Sequence, residues 1–298
     1  MKVKQIAGMA VAAAALICVG LVNVGIQQAI RADELDRASK GVLSGGGDYG
    51  DGDYGEYGEE AGGFGEITFP EENFVQRIDV MGEITRELSY DYAYSAYDHQ
   101  WTMDLIDQLM ENDYNQGILL FIDSPGGAIY ESDELYLKLL DYKEETGRPV
   151  RAYLASEACS GGYYVAMAAD RLSANRNGLV GSIGVIATIE DYSKMLDDMG
   201  ISEINFVSGE NKAMSSGTSS LTEEQIEIYQ AMVDESYEQF VDVVAEGRGM
   251  TREQVKALAD GRFYTARQAL ENGLVDEIAG YEDVEDAFLE ELGVTVLN

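Results

Sequence analysis

The N-terminal part of the chain is a long apolar run. Residues 6–26 contain no charged side chain, and Asn23 is the uncharged polar residue that interrupts them. About 20 apolar residues are enough to cross the hydrocarbon core of a bilayer. We therefore expect residues 1–31 to form one transmembrane helix, an N-terminal membrane anchor that contacts the lipid bilayer through residues 6–30.

A cleavable secretory signal is the competing interpretation of this run, with Lys2 and Lys4 as its basic start. The run is long for such a signal and no convincing small-x-small cleavage site follows it, so we favour an uncleaved anchor. The flanking charges do not settle its orientation, because Arg31 and Arg37 follow the span closely.

Residues 32–65 differ in character from the segments on either side. They are acidic, rich in glycine and built from repeats in which Asp or Glu, Tyr and Gly alternate. Such a stretch cannot bury enough apolar surface to offset the entropy lost on ordering it. We expect a flexible tether between the anchor and a folded domain of residues 66–298.

The pattern of the folded domain predicts an α/β architecture. A continuous apolar run at residues 117–122 is typical of a strand buried on both faces of a sheet. Strands that alternate with helices predict a mainly parallel sheet with flanking helices, and functional loops at the carboxyl ends of the strands. The predicted strands are Val75–Ile84, Gly117–Ile122, Val150–Leu154 and Ile204–Val207, and the predicted helices cover residues 99–112, 131–145 and a segment after Ser160.

The C-terminal helices are indicated by capping boxes, in which an N-cap threonine is followed three residues later by glutamine. The first box predicts a long amphipathic helix as far as about Glu246, with a stripe that we interpret as a core face, and Gly273 ends the last helix. The three pairs are Thr222 with Gln225, Thr251 with Gln254, and Thr265 with Gln268.

Composition excludes several function classes. The chain has 55 Asp and Glu against 20 Lys and Arg, a net charge of −35, whereas nucleic-acid binding depends on basic patches. We therefore expect no nucleic-acid partner. The two cysteines, Cys18 and Cys159, do not suggest a disulfide framework. Cysteines and the single histidine offer no metal-ligand cluster.

Candidate chemistry centres on Ser160, which a small residue precedes and two glycines follow. This pattern, before an apolar run, predicts a nucleophile at a strand-to-helix turn. A serine needs a base at neutral pH. The single histidine, His99, starts an amphipathic helix and is interpreted as a surface or packing residue. A lysine is the better candidate for the base, and it must be held neutral by removal from water.

Two further glycine loops belong to the same hypothesis. The loop that ends at Gly127 precedes a helix, and its amides together with those after Ser160 would form an oxyanion hole, with Gly127 and Gly161 as the candidate donors. Ser182 follows in an apolar, glycine-spaced loop, where two interpretations stay open: a capping or space-filling residue, or a residue that holds a neutral lysine by a hydrogen bond. Lys212 is the best candidate for that lysine, although spacing alone does not distinguish it from Lys194.

Together these segments resemble the signal peptide peptidase A family, membrane-anchored serine peptidases of the ClpP/crotonase-like fold, in their single-domain form. The resemblance covers roughly residues 74–290, and its strength lies in several motifs in order at family-like spacing. The motifs are Ser124-Pro125-Gly126-Gly127, Ser160-Gly161-Gly162-Tyr163-Tyr164, Gly181-Ser182-Ile183-Gly184-Val185, Ser208-Gly209 with Lys212, and Asp260-Gly261-Arg262-Phe263-Tyr264-Thr265 with Gly273-Leu274-Val275-Asp276.

The resemblance implies a set of roles and partners. Ser160 would be the nucleophile and Lys212 the general base, with Ser182 orienting Lys212 and the two glycines binding the oxyanion. It also implies a homo-octameric ring with active sites shared between neighbouring chains, no cofactor, and a catalytic domain outside the cytoplasm on a single-pass cell-membrane protein. The substrates would be remnant signal peptides or other membrane peptides.

Two departures from the family pattern and two alternative functions stay open. The loop after Lys212 lacks the proline common there, and the long tether is not typical. One alternative is a Ser-Lys protease that cleaves a specific membrane-protein partner such as a stomatin-like protein. The other is a ring scaffold that has lost activity, against which the intact serine and lysine set argues. A crotonase-type CoA enzyme needs no serine nucleophile and is disfavoured.

Overall fold

The structure, a computed structural model, describes residues 67–86 and 97–298. The predicted anchor and tether, residues 1–31 and 32–65, lie outside the described residues. Within the described part of the chain, no helix is both long enough and apolar enough to span a bilayer.

Strands and helices alternate along the described chain. The strands are β1 (Phe74–Ile84), β2 (Asn115–Gly127), β3 (Val150–Cys159), β4 (Arg171–Ala174), β5 (Leu179–Gly181), β6 (Phe263–Thr265), β7 (Glu277–Ile278) and β8 (Val296–Leu297). The helices are α1 (His99–Glu111), α2 (Ile129–Thr146), α3 (Gly161–Ala166), α4 (Ser193–Met199), α5 (Glu223–Arg248), α6 (Arg252–Lys256), α7 (Ala266–Glu271) and α8 (Tyr281–Leu292).

The strands form one sheet in the order β6-β5-β3-β2-β1-β8, with β4 beside β3 and β7 beside β4. The pairs are parallel except β5 with β6, which is antiparallel. Parallel neighbours need crossover connections, and the helices supply them. The prediction of an α/β domain with a mainly parallel sheet and flanking helices is therefore confirmed.

The apolar run in β2 is buried on both faces because successive side chains point to opposite sides of the sheet. Ile118, Leu120 and Ile122 join the larger core, which includes residues of α1, α2, α3 and α5. Leu119 joins a smaller cluster on the other face, where Phe288 of α8 covers it. This two-sided burial explains why the run has no polar alternation.

Two strands extend beyond their predicted ends. The apolar run of β2 was expected to stop at Asp123, but pairing continues to Gly127, which lies opposite Ile84 of β1. Strand β3 continues past Leu154 to Cys159, next to Ser160. In both cases pairing with a strand that is distant in sequence extends the ladder over polar or glycine residues. The local pattern of these residues does not reveal such pairing.

The strand predicted at residues 204–207 is wrong, since these residues are neither helical nor in a strand. Their side chains are exposed in the single chain, Ile204 by 75% and Phe206 by 97%. A strand needs a neighbouring strand to satisfy its amides and carbonyls, and this segment has no pairing to the sheet. The apolar pattern thus marks an exposed surface rather than a core strand.

The capping boxes are confirmed at all three predicted sites. The threonine side chain accepts the N–H of the glutamine three residues later, and that glutamine side chain accepts the threonine N–H, at the starts of α5, α6 and α7. Helix α5 ends at Arg248, close to the predicted position. Helix α7 ends at Glu271, and Gly273 adopts a positive φ of 76° just beyond it.

Candidate active site

Ser160 occupies the single-residue turn between β3 and α3, as the sequence predicted. Its backbone has φ 50° and ψ −122°, a conformation that L-residues rarely adopt. Among residues 67–86 and 97–298, Ser160 and Ser182 are the only non-glycine residues with positive φ. Strained backbone of this kind concentrates at functional sites, where the surrounding structure enforces it.

Hydrogen bonds on both sides of Ser160 enforce the turn. Its N–H donates to the carbonyl of Gly181 at 2.8 Å, which ties it to the end of β5. Its own carbonyl accepts the N–H groups of Tyr163 and Tyr164 at 3.0 and 2.9 Å, which start the helix. The side chain is half-buried and contributes to the walls of two cavities.

Gly127 and Gly161 lie next to each other beside Ser160. A methyl group built on Gly161 would sit 3.2 Å from the Gly127 nitrogen and would collide with Ser132 Oγ. A methyl group built on Gly126 would sit 2.7 Å from both the Gly161 nitrogen and Ser160 Cβ. The two segments therefore approach at a distance that only glycine allows, and the structure brings together the two predicted oxyanion donors and the serine.

The amide of Gly161 suits the proposed role because of its place in α3. It is the first residue of that helix, and the first N–H groups of a helix have no intrahelical acceptor. Gly127 is the last residue of β2, and α2 begins two residues later. The pairing of Gly127 with Ile84 holds this end of β2 in place.

The two cavities that share Ser160 differ in size and lining. The large cavity, about 450 Å³, includes Ser182 and two acidic residues, Asp234 and Asp260. The small cavity, about 80 Å³, includes both Gly127 and Gly161. The carboxyl of Asp260 accepts hydrogen bonds from the guanidinium of Arg262, which lowers the pKa of that carboxyl.

Ser182, the predicted orienting residue, directly follows strand β5. It is half-buried with φ 48°, and its N–H donates to the carbonyl of Arg262 at 2.8 Å. Ser160 and Ser182 line the same large cavity. A group that enters this cavity therefore meets both serines on its wall.

Lys212 is not brought to Ser160 within one chain. It is exposed in a turn after α4, its N–H donates to the carbonyl of Gly209 at 3.1 Å, and it lines neither cavity. Lys194 of α4 is likewise exposed and absent from both linings. The isolated chain thus assembles the serine and the two glycines but not the lysine.

His99 is a packing residue, as predicted. Its side chain is 3% exposed, with Nδ1 hydrogen-bonded to the Tyr97 hydroxyl at 2.7 Å and Nε2 to Glu134 at 2.8 Å. It lines neither cavity at Ser160. Both ring nitrogens are therefore engaged in a local network at the starts of α1 and α2.

Cys159 does not compete with its neighbour Ser160 as a nucleophile. Burial, with a further contribution from Glu157, raises the pKa of the Cys159 thiol to about 12, and only a thiolate is an effective sulfur nucleophile. Within the described residues, no group of His, Cys, Asp and Glu side chains could hold a metal ion.

The sequence analysis missed the walls of the small cavity. Ile129 and Ser132 of α2, Tyr164 of α3 and Phe240 of α5 line it together with Val185. Phe240 lies on the apolar stripe of α5 that was interpreted as an ordinary core face. No local signal distinguishes these residues from core, because the cavity joins segments as far apart in sequence as Ile129 and Phe240.

Comparison with known proteins identifies the family of this chain. A family model described as Peptidase family S49 matches residues 142–295, just over half of the chain. The chain belongs to peptidase family S49. The matched range contains Ser160, Ser182 and Lys212, whereas Gly127 precedes it. The predicted resemblance to the signal peptide peptidase A family is confirmed at the level of the S49 family. The prediction of a hydrolase, a serine-type peptidase, is confirmed at the same level.

Individual relatives agree with this family. A putative signal peptide peptidase SppA of Enterococcus faecium is 37% identical over 204 residues, 68% of this chain and 59% of that protein. A putative protease, slr0021, of Synechocystis sp. is 42% identical over 166 residues, 56% of this chain and 59% of that protein. Protease 4 of Haemophilus influenzae is 30% identical over 168 residues, 56% of this chain and 27% of that protein. The S49 chain thus matches less than two thirds of the length of each of these relatives.

Proposed function

We propose that this S49 chain is a membrane-anchored serine endopeptidase with Ser160 as the nucleophile and Lys212 as the general base. The observation that carries the proposal is the strained turn at Ser160, which places its side chain beside the Gly127 and Gly161 amides. A nucleophile next to two converging amide groups is the arrangement that acyl transfer requires.

The proposed reaction proceeds by two acyl transfers. The neutral amine of Lys212 takes the proton of Ser160 Oγ while Oγ bonds to the carbonyl carbon of the substrate. The resulting ammonium gives that proton to the leaving nitrogen as the peptide bond breaks, which leaves an ester on Ser160. Lys212 then takes a proton from water, the hydroxide attacks the ester, and the free acid departs while Ser160 recovers its proton.

The Gly127 and Gly161 amides would stabilise the oxyanion formed in both steps. One such donor contributes about 3–4 kcal/mol of transition-state stabilisation. Ser182 would hold the Lys212 amine toward Ser160 by a hydrogen bond. The common wall that Ser160 and Ser182 give the large cavity supports this role, since the amine would need both hydroxyls within reach.

We further propose that Lys212 comes from a neighbouring copy in a homo-octameric ring. The lysine is exposed in one chain, yet a lysine acts as a base only when it is neutral, which requires removal from water. The segment before it exposes large apolar side chains, including Ile186 and Phe206. A second copy on this surface would cover the apolar groups and shield the amine together.

The remaining parts of the proposal concern fold type, membrane and substrate. The parallel sheet with both glycine loops at the carboxyl ends of β2 and β3 supports a ClpP/crotonase-like fold. The apolar run at residues 6–26 supports a single-pass anchor. The resemblance to the signal peptide peptidase A family supports a domain outside the cytoplasm. The name of the Enterococcus relative, a putative signal peptide peptidase, supports signal peptides as the substrate class.

Peptidase activity of the full 298-residue chain on a fluorogenic signal-peptide-like substrate tests this proposal. Lys212→Ala should lose activity by a factor of about 100 or more, because general base catalysis contributes that much. Lys194→Ala is the matched control, since that lysine is also exposed and lines neither cavity. Full activity of Lys212→Ala, or activity that survives in Ser160→Ala, would overturn the dyad.

A mixing experiment tests the shared site. Ser160→Ala chains and Lys212→Ala chains are each inactive, but in a mixed ring some Ser160 sites meet an intact Lys212 from the next chain. At equal proportions about a quarter of the wild-type activity should return, because heterologous contacts pair neighbours in one direction. If no activity returns in rings shown to be mixed, the lysine acts within its own chain.

A further inference from the structure

The side chain of Ser124 is a buried hydroxyl beside the candidate site that the proposed reaction does not use. Ser124 is fully buried and lines neither of the two cavities at Ser160. Serine is mostly an exposed residue, and a buried hydroxyl is costly unless it is hydrogen-bonded. Any part that Ser124 plays in catalysis must therefore act through the backbone around it.

The hydroxyl of Ser124 joins the end of β1 to the glycine turn at the end of β2. Its Oγ donates to the carbonyl of Gly82 at 2.6 Å and accepts the N–H of Gly126 at 3.1 Å. Because the proton of Oγ is engaged with Gly82, a lone pair of the same oxygen is left to face Gly126. The hydroxyl is thus held from one side and holds the turn from the other.

The two strands need this bridge because their pairing is interrupted here. The register of β1 against β2 skips Gly82 on one strand and the adjacent Ser124 and Pro125 on the other. Gly82 has a φ of 75°, and a bulge of this kind locally disrupts the ladder of a sheet. The hydroxyl of Ser124 crosses the interruption and ties the two strands together where the glycine turn begins.

The N–H of Gly126 needs an acceptor because glycine does not fix its own conformation. Gly126 has a φ of 107°, and glycine populates positive and negative φ about as readily. The amide of Gly127, a proposed oxyanion donor, follows directly, so that its direction depends on the dihedral angles of Gly126. Loss of the Ser124 hydroxyl would remove an acceptor from the buried Gly126 N–H and allow this peptide to turn.

The backbone of Ser124 also lies against the second glycine loop. A methyl group built on Gly162 would sit 2.9 Å from the Ser124 carbonyl oxygen and 3.1 Å from Ser124 Cβ. Gly161, the other proposed oxyanion donor, directly precedes Gly162 at the start of α3. One buried residue therefore contacts both segments that carry the oxyanion donors, and it sets the distance between them.

We propose that Ser124 is a positioning residue that directs the Gly127 amide toward the oxyanion formed at Ser160. Its hydroxyl acts through Gly126 and touches no reacting atom. The inference rests on the proposed peptidase function and adds to it the residue that orients the oxyanion hole.

The first test compares kcat and KM of the full chain with those of Ser124→Ala, per folded chain, on the fluorogenic signal-peptide-like substrate. The kcat should fall by about 10- to 100-fold, because a misplacement of about 1 Å can cost that much and loss of a whole oxyanion donor costs more. The KM should change by less than about threefold, because the substrate carbonyl carries no full negative charge before the attack.

Ser124→Cys is a second variant in case Ser124→Ala fails to fold. Cysteine fills the same site without leaving a cavity, but its thiol is a weaker donor and acceptor than a hydroxyl. The kcat of Ser124→Cys should therefore lie between those of the wild-type chain and Ser124→Ala, again with little change in KM.

Two inhibitors separate positioning of the amide from general support of the fold. The first is the substrate peptide ended at the scissile bond by an aldehyde. Ser160 Oγ bonds to the aldehyde carbon, the Oγ proton passes to Lys212, and the carbonyl double bond becomes a single bond to a negatively charged oxygen. The second is the same peptide ended by an alcohol, which cannot form this adduct. Ser124→Ala should raise the Ki of the aldehyde by about 10- to 100-fold and leave the Ki of the alcohol unchanged.

Ser173→Ala is the matched control. Ser173 is equally buried, but it lies in β4 and its hydroxyl donates to Glu277 at 2.7 Å, so this variant should keep the wild-type kcat and both Ki values. A wild-type kcat in Ser124→Ala or Ser124→Cys, or an equal rise in Ki for aldehyde and alcohol, would overturn the positioning role and leave the peptidase function standing. No peptidase activity in the wild-type chain, or equal activity in Ser160→Ala, would overturn both.

Discussion

The left-handed backbone at Ser160 predicts an unusual order of stability among variants at that position. A non-glycine residue at such angles costs about 1–3 kcal/mol, which glycine avoids because it has no Cβ. Ser160→Ala keeps this strain, and Ser160→Gly releases it. Both variants lack Oγ and should lose peptidase activity. Ser160→Gly should nevertheless be more stable than Ser160→Ala by about 1–2 kcal/mol.

Ser156 supplies a matched control four residues earlier. It is exposed in strand β3 and is not among the residues with positive φ. In a strand, glycine is less stable than alanine by about 0.5–1 kcal/mol, because it loses more conformational entropy on folding. Both substitutions remove the Ser156 hydrogen bond to Asp123, so their difference isolates the backbone effect.

The assay is thermal or denaturant unfolding of all four variants at one protein concentration, because assembly makes stability depend on concentration. For a domain of this size, 1 kcal/mol corresponds to about 2–4 °C in Tm. The glycine variant should melt higher than the alanine variant at position 160 and lower at position 156. The same sign at both positions would refute the strained nucleophile turn.

Three further perturbations follow from the site and the core. Gly161→Ala should lower kcat by about 100-fold or more, because the added methyl group displaces an oxyanion donor. Adding Ser132→Ala should recover part of this loss, because it removes the clash with Ser132 Oγ and leaves a 3.3 Å contact with the Cβ of residue 132. Burial alone would raise the pKa of Asp276, but hydrogen bonds, chiefly from Arg248, hold it below its usual value; Asp276→Asn should therefore destabilise the fold by about 1–3 kcal/mol at pH 7. Cys159 should resist alkylation at pH 8 in the folded protein, because its thiol pKa is about 12.

Each of these expectations has its own readout and contradiction. A double-mutant cycle in kcat/KM reports on Gly161 and Ser132, and additive losses would contradict the clash. The Asp276 carboxylate has its lowered pKa in the folded state, so its stabilisation is present above about pH 4 and is lost as the pH falls further. A destabilisation by Asp276→Asn that persists in acid would contradict the pairing. A destabilisation at pH 7 no larger than that of Asp141→Asn, at an exposed position, would contradict it as well. Rapid mass-detected alkylation of Cys159 would contradict its burial.

Local signals in the sequence were enough to predict much of the fold and part of the site. The capping boxes at Thr222, Thr251 and Thr265 depend on residues three apart, and all three form as predicted. The turn at Ser160 is likewise local, because a serine followed by two glycines ends a strand and starts a helix. The S49 match then covers the segment in which these signals are concentrated.

What the sequence did not reveal depends on contacts between distant segments. Gly127 was assigned to a loop, but pairing with Ile84 keeps it in strand β2. Phe240 reaches the small cavity because α5 packs against α3, which its own apolar stripe cannot indicate. Residues 204–207 have the composition of a strand without a partner in the sheet. Such features are set by tertiary packing rather than by local preference.

The most direct test of the central claim is covalent labelling of the full chain with a serine-reactive fluorophosphonate, followed by peptide mapping of the adduct. The account predicts one adduct, on Ser160, which forms much more slowly in Lys212→Ala than in Lys194→Ala. An adduct on Ser182 or Cys159, or equal labelling rates in the two lysine variants, would contradict a Ser160 nucleophile activated by Lys212.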